Sequence, residues 1–313
     1  MKASWQAHVA ASIVRIRIKP ALRDLSDLAR VRRLFSTRFP TPRGVRYTEA
    51  VLGGVPGEWV EAIDAPSRRT TLLYLHGGGF IGCSPRSHRP LTAPFALHGI
   101  RVFVPDYRLA PEHPFPAAPE DVQAAWRALR RLESGRLVVG GDSAGGNLAL
   151  GLMLALRDAG EALPEAAVLF SPGTDFTGAS ASLVSNSERD PMFGGTQLDH
   201  LRDAYLQGAD PAQPLASPLL GDLRGLPPLL VHVGADEVLL DDSLRLAEKA
   251  RAAGVRVELE VFPTVPHVWQ LIRAVPEARR SVRAAAAFLC DDGPATTADA
   301  ANPSAGTVTV APS

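Results

Sequence analysis

Gly141-Asp142-Ser143-Ala144-Gly145 sets a serine between glycines, directly after the apolar run Leu137-Val138-Val139. The run reads as a strand buried on both faces, and the residues after it as the start of a helix. The glycines let the chain turn sharply and lift Ser143 Oγ to the tip of the strand. The free N–H groups and positive end of the following helix point at the same place. A hydroxyl so placed is a candidate nucleophile for acyl transfer. Short Gly/Ser patterns also occur in ordinary turns, so other residues must supply the remaining parts. These are a base for the Oγ proton, a carboxylate to orient that base, and N–H donors for an oxyanion.

His267 is the candidate base. It follows the final strand, in the proline-containing loop Phe262-Pro263-Thr264-Val265-Pro266-His267, which can hang an imidazole over the serine. His8, His88, His98, His113 and His200 have no such position, and His232 falls inside a strand, where it reads as a packed residue. For the carboxylate, the loop after the strand ending at Val233 offers Asp236, Glu237, Asp241 and Asp242. Some of these must cap the next helix, whose first turn favours negative charge. Position alone leaves Asp236 and Glu237 equal. For the oxyanion, His76-Gly77-Gly78-Gly79 follows another strand, and its glycines let backbone amides converge unobstructed. A phosphate loop would continue with Lys and Ser/Thr, and Phe80-Ile81-Gly82 does not.

The elements that must carry these residues alternate. Strands are expected at Gly57–Ala62, Thr71–Leu75, Arg101–Val104, Leu137–Val139, Ala166–Phe170, Pro228–Val233 and Val255–Val261. Helices are expected at 120–132, after Ser143, and at 197–206, 242–253 and 276–289. The alternation implies an α/β domain with a mainly parallel sheet and helices on both faces, its chemistry at the carboxyl ends of the strands. Residues 1–40 show two helical series, Val9-Ile13-Ile16 and Leu22-Leu25-Leu28, parted by Pro20. The segment is basic, which fits contact with an anionic membrane surface, but its arginines read more simply as the solvated face of an amphipathic helix. Polar residues interrupt its apolar run, so it is not read as a secretory leader. Beyond Cys290 the chain holds no Lys or Arg and too little apolar surface for a core, and is expected to be disordered.

The 313 residues carry a formal net charge of zero, which argues against a nucleic-acid partner. No apolar run is long enough to cross a bilayer. Cys83 and Cys290 cannot make a disulfide framework or a zinc site, so no metal is expected and a reducing, cytoplasmic setting is the simpler reading.

Taken together, His76-Gly77-Gly78-Gly79-Phe80, Asp106–Glu112, Gly141–Gly146, Asp190-Pro191-Met192, Asp236–Asp242 and His267-Val268-Trp269 resemble the motifs of the bacterial hormone-sensitive-lipase-like carboxylesterases of the α/β-hydrolase fold. The resemblance implies a central sheet of about eight strands, with a helical cap built from residues 1–45 and an insert at about 174–215. The catalytic domain would span 46–290 and the tail 291–313. It implies a serine carboxylester hydrolase for short- to medium-chain acyl esters, working without a cofactor. Ser143 would be the nucleophile and His267 the base, with Gly78, Gly79 and Ala144 donating to the oxyanion. The family's acid motif begins with its catalytic Asp. Laid without a gap on Glu237–Asp242, that position is Glu237, whereas Asp236 requires an insertion. Relatives associate through the last strand and its helix, here Val255–Val261 and 276–289, which implies a homodimer. A lactone, amide or N-acetyl hydrolase with the same triad is the alternative. A non-catalytic binder is the more distant one, since such proteins typically lose the base that this chain keeps.

Overall fold

The protein is described here by a computed structural model covering residues 2–22, 27–35, 42–64 and 69–291. Leu25 of the second helical series and residues 292–313 of the expected tail lie outside the described residues.

The chain opens with two helices, α1 (Trp5–Arg17) and α2 (Leu28–Phe35), then a hairpin of β1 (Val45–Leu52) and β2 (Val55–Ala62). Next come β3 (Thr70–Leu75), α3 (Pro85–Leu97), β4 (Arg101–Pro105), α4 (Ala117–Leu132), β5 (Arg136–Asp142) and α5 (Ala144–Asp158). Strand β6 (Ala167–Phe170) leads into a segment holding α6 (Ser182–Ser185) and α7 (Gly195–Leu206). The chain closes with β7 (Leu229–Gly234), α8 (Leu240–Ala252), β8 (Val257–Phe262) and α9 (Pro276–Cys290).

The strands form one eight-stranded sheet in the order β1-β2-β4-β3-β5-β6-β7-β8. Strand β2 runs antiparallel to both β1 and β4, and every other pairing is parallel. Strands β3, β5, β6 and β7 read as unbroken apolar runs because both of their faces are covered. Their side chains alternate between two cores. Leu73, Leu75, Val139, Leu169 and Val231 face the helices α4, α5 and α8. Leu72, Tyr74, Val138, Val168 and Leu230 face α3 and α9.

The expected strands and helices all appear, with ends shifted by a few residues. Helix α3 is the one long helix the sequence does not announce. Pro85, Pro90 and Pro94 argue against a helix there, yet Pro85 sits at its start, where a missing N–H costs nothing. The N-terminal series also differs from expectation. Val9, Ile13 and Ile16 lie on the solvent side of α1, and its buried residues are Ala7, Ala10 and Ala11. Arg15, read as solvated, donates to the carbonyls of Glu188 and Arg189 at 2.7 and 2.5 Å.

Candidate active site

Strand β5 delivers Ser143 with φ +53° and ψ −119°, a backbone conformation that costs a non-glycine residue ~1–3 kcal/mol. The surroundings hold it there. The Ser143 amide donates to the Phe170 carbonyl at 2.8 Å, at the end of neighbouring β6. A Cβ on Gly145 would fall 1.9 Å from the Leu75 carbonyl oxygen, so only glycine lets α5 start this close to β3. Ser143 thereby occupies the gap between the ends of adjacent parallel strands, with the first turn of α5 behind it.

The chain after β3 comes to the same point. Gly78 has φ +116° and Gly79 φ +61°, both in the region that favours glycine. Among the described residues, the amides of Gly78, Gly79 and Ala144 donate to no protein acceptor, while the Gly77 amide points at His88 Nε2, 3.3 Å away. Gly78, Gly79, Ala144, Ser143 and His267 all line one cavity of about 240 Å³.

His267 Nδ1 lies 2.6 Å from Glu237 Oε2. Glu237 Oε1 accepts from the Ser171 hydroxyl and the Gly234 amide, each at 2.7 Å. Both Glu237 and His267 are buried. His267 Nε2, the nitrogen turned away from Glu237, is buried and makes no hydrogen bond among the described residues. Burial opposes a positive charge on this imidazole, but the Glu237 carboxylate, helped by Asp190 and Asp142, outweighs it and raises the pKa above 6.5. The neighbouring acid goes elsewhere. Asp236 pairs with Arg189 at 2.5 Å, and its carboxylate has no bond to His267. The structure therefore brings Ser143, Glu237, His267 and the glycine loop together and leaves Asp236 outside.

The other histidines cannot act as bases near neutral pH where a shift is evident. Burial, then the nearby His88, pushes His76 down to about 3. Burial, then the Arg280 charge, does the same to His232, which packs inside β7 with Nδ1 2.8 Å from Ser281 Oγ. Burial also lifts the Cys83 thiol to about 12, so it is no competing nucleophile.

Sequence reasoning missed several supporting residues. Asp142, beside the nucleophile, is buried: its Oδ1 accepts from Tyr74 Oη at 2.8 Å and its Oδ2 lies 3.2 Å from His88 Nε2. Burial favours the acid form of Asp142, but His88, the Tyr74 hydroxyl and His76 hold its pKa below 3.8. Asp142 and His88 thus brace the glycine loop from beneath. Ser171 was not singled out, although its place just after β6, beside β7, is a signal that could have found it. Asp190 accepts from the Met192 and Phe193 amides at 2.7 and 3.0 Å and from the Val238 amide at 2.8 Å. It ties the segment after β6 to the loop that carries Glu237. Phe193 sets its ring edge-on to His267 at 5.1 Å.

The rest of the cavity wall is mostly apolar, with Asp199 and Arg202 of α7 among its polar members. Val14, Leu34 and Phe35 come from the N-terminal helices, and Leu198 and Leu201 from α7. Two acids of the wall, Asp175 after β6 and Asp242 in the first turn of α8, are spent on internal bonds. Asp175 pairs with Arg245 at 2.7 Å, and Asp242 accepts from the Thr174 and Asp175 amides and the Ser180 hydroxyl.

Comparison with known proteins identifies the fold and the family. Residues 72–271 match a family described as alpha/beta hydrolase fold. An acetyl-hydrolase of Streptomyces hygroscopicus is 45% identical over 242 residues, covering 76% of this chain and 80% of that protein. An esterase of Acinetobacter venetianus is 36% identical over 255 residues, covering 80% and 84%. The crystal structure of an esterase from the bacterial hormone-sensitive lipase family superposes with a TM-score of 0.86 at 40% identity, covering 92% of this chain and 98% of that one. Shared fold and this level of identity along most of the chain place the protein in the bacterial hormone-sensitive-lipase family of α/β-hydrolases.

Proposed function

We propose that the protein is a serine carboxylester hydrolase with Ser143 as nucleophile, His267 as base and Glu237 as the orienting acid. The observation that carries this reading is the buried Glu237–His267 pair at 2.6 Å, sharing one cavity with a serine on a strained turn. Ser143 Oγ attacks the ester carbonyl while His267 Nε2 takes its proton. The amides of Gly78, Gly79 and Ala144 hold the oxyanion of the tetrahedral intermediate. His267 then returns the proton to the leaving alcohol, and water releases the acyl group by the same steps. Glu237 holds the imidazole with its proton on Nδ1.

The mostly apolar wall and the modest cavity of about 240 Å³ support short- to medium-chain acyl esters as substrates. We read residues 1–45 and 174–215 as the cap that closes this cavity. Two unpaired cysteines, Cys83 and Cys290, support a reducing, cytoplasmic setting. No helix among the described residues is long and apolar enough to cross a membrane. Strand β8 ends the sheet, and an exposed edge there supports a homodimer formed with α9, which sedimentation velocity would reveal.

Hydrolysis of p-nitrophenyl esters of increasing acyl length tests the reading. Ser143→Ala and His267→Ala are expected to lose ~10⁴-fold or more in kcat/KM. Glu237→Gln is expected to lose ~10²–10⁴-fold, while Asp236→Asn stays within a few-fold of wild type. Full activity in Glu237→Gln would remove that residue from the mechanism. The relative described as an acetyl-hydrolase favours acetyl groups, on oxygen or on nitrogen, as a narrower reading. Parallel assays on p-nitrophenyl acetate and acetanilide separate the ester from the amide.

A further inference from the structure

Helix α1 carries its apolar residues the wrong way round. A surface helix ordinarily turns its largest apolar side chains inward. Here the inward face is Ala7, Ala10 and Ala11, with Ala7 and Ala10 packed in one cluster with Phe262, Val265 and Trp269. The outward face presents Trp5 at 71% exposure, Val9 at 47%, Ile13 at 56% and Ile16 at 68%. Their spacing stacks them into one ridge along a helix about 20 Å long. Scattered surface leucines need no explanation, but a contiguous ridge of four large apolar residues does. The helix is firmly seated, so the ridge is not a frayed end. The Ser4 amide and hydroxyl donate to Glu277 of α9 at 2.7 and 2.8 Å, and Ser4 Oγ caps α1 by accepting from Ala7 N.

Charge identifies the occupant. Residues 1–35 hold eight Lys and Arg against two Asp, in a chain whose formal net charge is zero. Lys2, Arg17 and Arg33 are exposed and pair with no carboxylate among the described residues. A second copy docking through this ridge about a two-fold axis would bring two such basic poles together. A single-helix ridge is also small beside the ~800 Å² per partner of a stable protein interface. An anionic lipid surface satisfies both features: apolar side chains enter the acyl boundary while the cations meet headgroup phosphates.

We propose that α1 is a docking helix that lies along an anionic bilayer with Trp5, Val9, Ile13 and Ile16 turned into the lipid. Val14 and Ile18, on the opposite side of the same stretch, line the cavity that holds Ser143. Helix α1 is then the wall between the lipid surface and the cavity. Docking itself needs no chemistry at Ser143. Its benefit, holding the cavity where apolar esters concentrate, rests on the hydrolase reading above.

The test uses the full chain with vesicles of phosphatidylglycerol or of phosphatidylcholine. Trp59, Trp126 and Trp269 are 6%, 1% and 0% exposed, so Trp5 is the tryptophan that lipid can reach. The protein is expected to float with phosphatidylglycerol vesicles at low salt and not with phosphatidylcholine. Trp5 emission should shift to the blue and be quenched by brominated acyl chains. Ile13→Ser and Ile16→Ser should each weaken partition about tenfold at an unchanged Tm. Ser143→Ala should bind like wild type, which keeps a failure of the catalytic reading separate from a failure of docking. The proposal is overturned if the protein stays unbound with phosphatidylglycerol, or if Ile16→Ser binds as tightly as wild type. It is equally overturned if wild type is a dimer that Ile16→Ser dissociates, since the ridge would then be a protein interface.

Discussion

The distinction between Glu237 and Asp236 rests on where two adjacent side chains point. Glu237 turns inward at the end of β7, where the Ser171 hydroxyl and the Gly234 amide fill one oxygen and leave the other for His267. Asp236 turns outward to Arg189. The raised His267 pKa has a direct consequence. The imidazole must be neutral to accept the Ser143 proton, so activity should fall as pH drops through a value above 6.5, the ordinary imidazole value. A kcat/KM profile should therefore show its acid limb above that point. In Glu237→Gln the largest charge favouring protonation is gone, and the limb should move to lower pH while the plateau falls. A limb that stays in place would mean that another group titrates. Ser143 and His267 were legible because each follows a strand at a position that few residue types fill for structural reasons. The acid was not legible from charge or spacing. Neighbouring carboxylates on a loop differ only in direction, and that direction depends on partners such as Ser171, 66 residues away in sequence.

At the scale of elements, close approach decides what can change. Helix α5 starts against β3, so Gly145→Ala places a methyl on the Leu75 carbonyl and should cost ~3 kcal/mol or more, with loss of activity. Gly151, one helical stretch further on, has nothing nearer than 3.6 Å to a built Cβ and ordinary helical backbone. Gly151→Ala should stabilise by roughly 0.5–1 kcal/mol. Urea unfolding of the two variants would show opposite signs. Asp190→Ala should act differently again. It orphans the amides of Met192, Phe193 and Val238 and removes a charge that favours His267 protonation. We expect a loss of ~2 kcal/mol and an acid limb shifted to lower pH, read by thermal melting and by the rate profile. The inner strands were legible because each is a short apolar run bounded by turn residues, whereas the edge strand β1, charged and partly exposed along its length, was not among those expected. Helix α3 was hidden because its prolines speak locally against a helix, and only packing against β2, β4 and α9 makes it form.

Across the whole molecule, the sheet separates two cores and gathers the chemistry at one end. The N-terminal helices show how far local pattern falls short of placement. Period alone puts Val9, Ile13 and Ile16 on one face of α1, but it cannot say whether that face meets protein or solvent. The answer depends on Phe262, Val265 and Trp269, whose surface accepts the small alanine face. The acyl-length profile belongs to this scale as well, because its upper limit reflects walls contributed by α1, α2 and α7 together. Hydrolysis is expected to fall for long acyl chains in wild type, and enlarging one wall with Leu198→Ala should extend the accepted length.

The contact between Ser4 and Glu277 spans 273 residues. It makes the first helix dependent on the last one. During synthesis α1 leaves the ribosome well before α9, so its seat on α9 and on the loop after β8 does not yet exist when it emerges. Until then α1 has only holds such as those of Arg15 on the carbonyls of Glu188 and Arg189, and the wall that Val14 and Ile18 form beside Ser143 lacks its main seat. The contact is among the least local in the fold, so the seating of α1 on α9 must wait for α9.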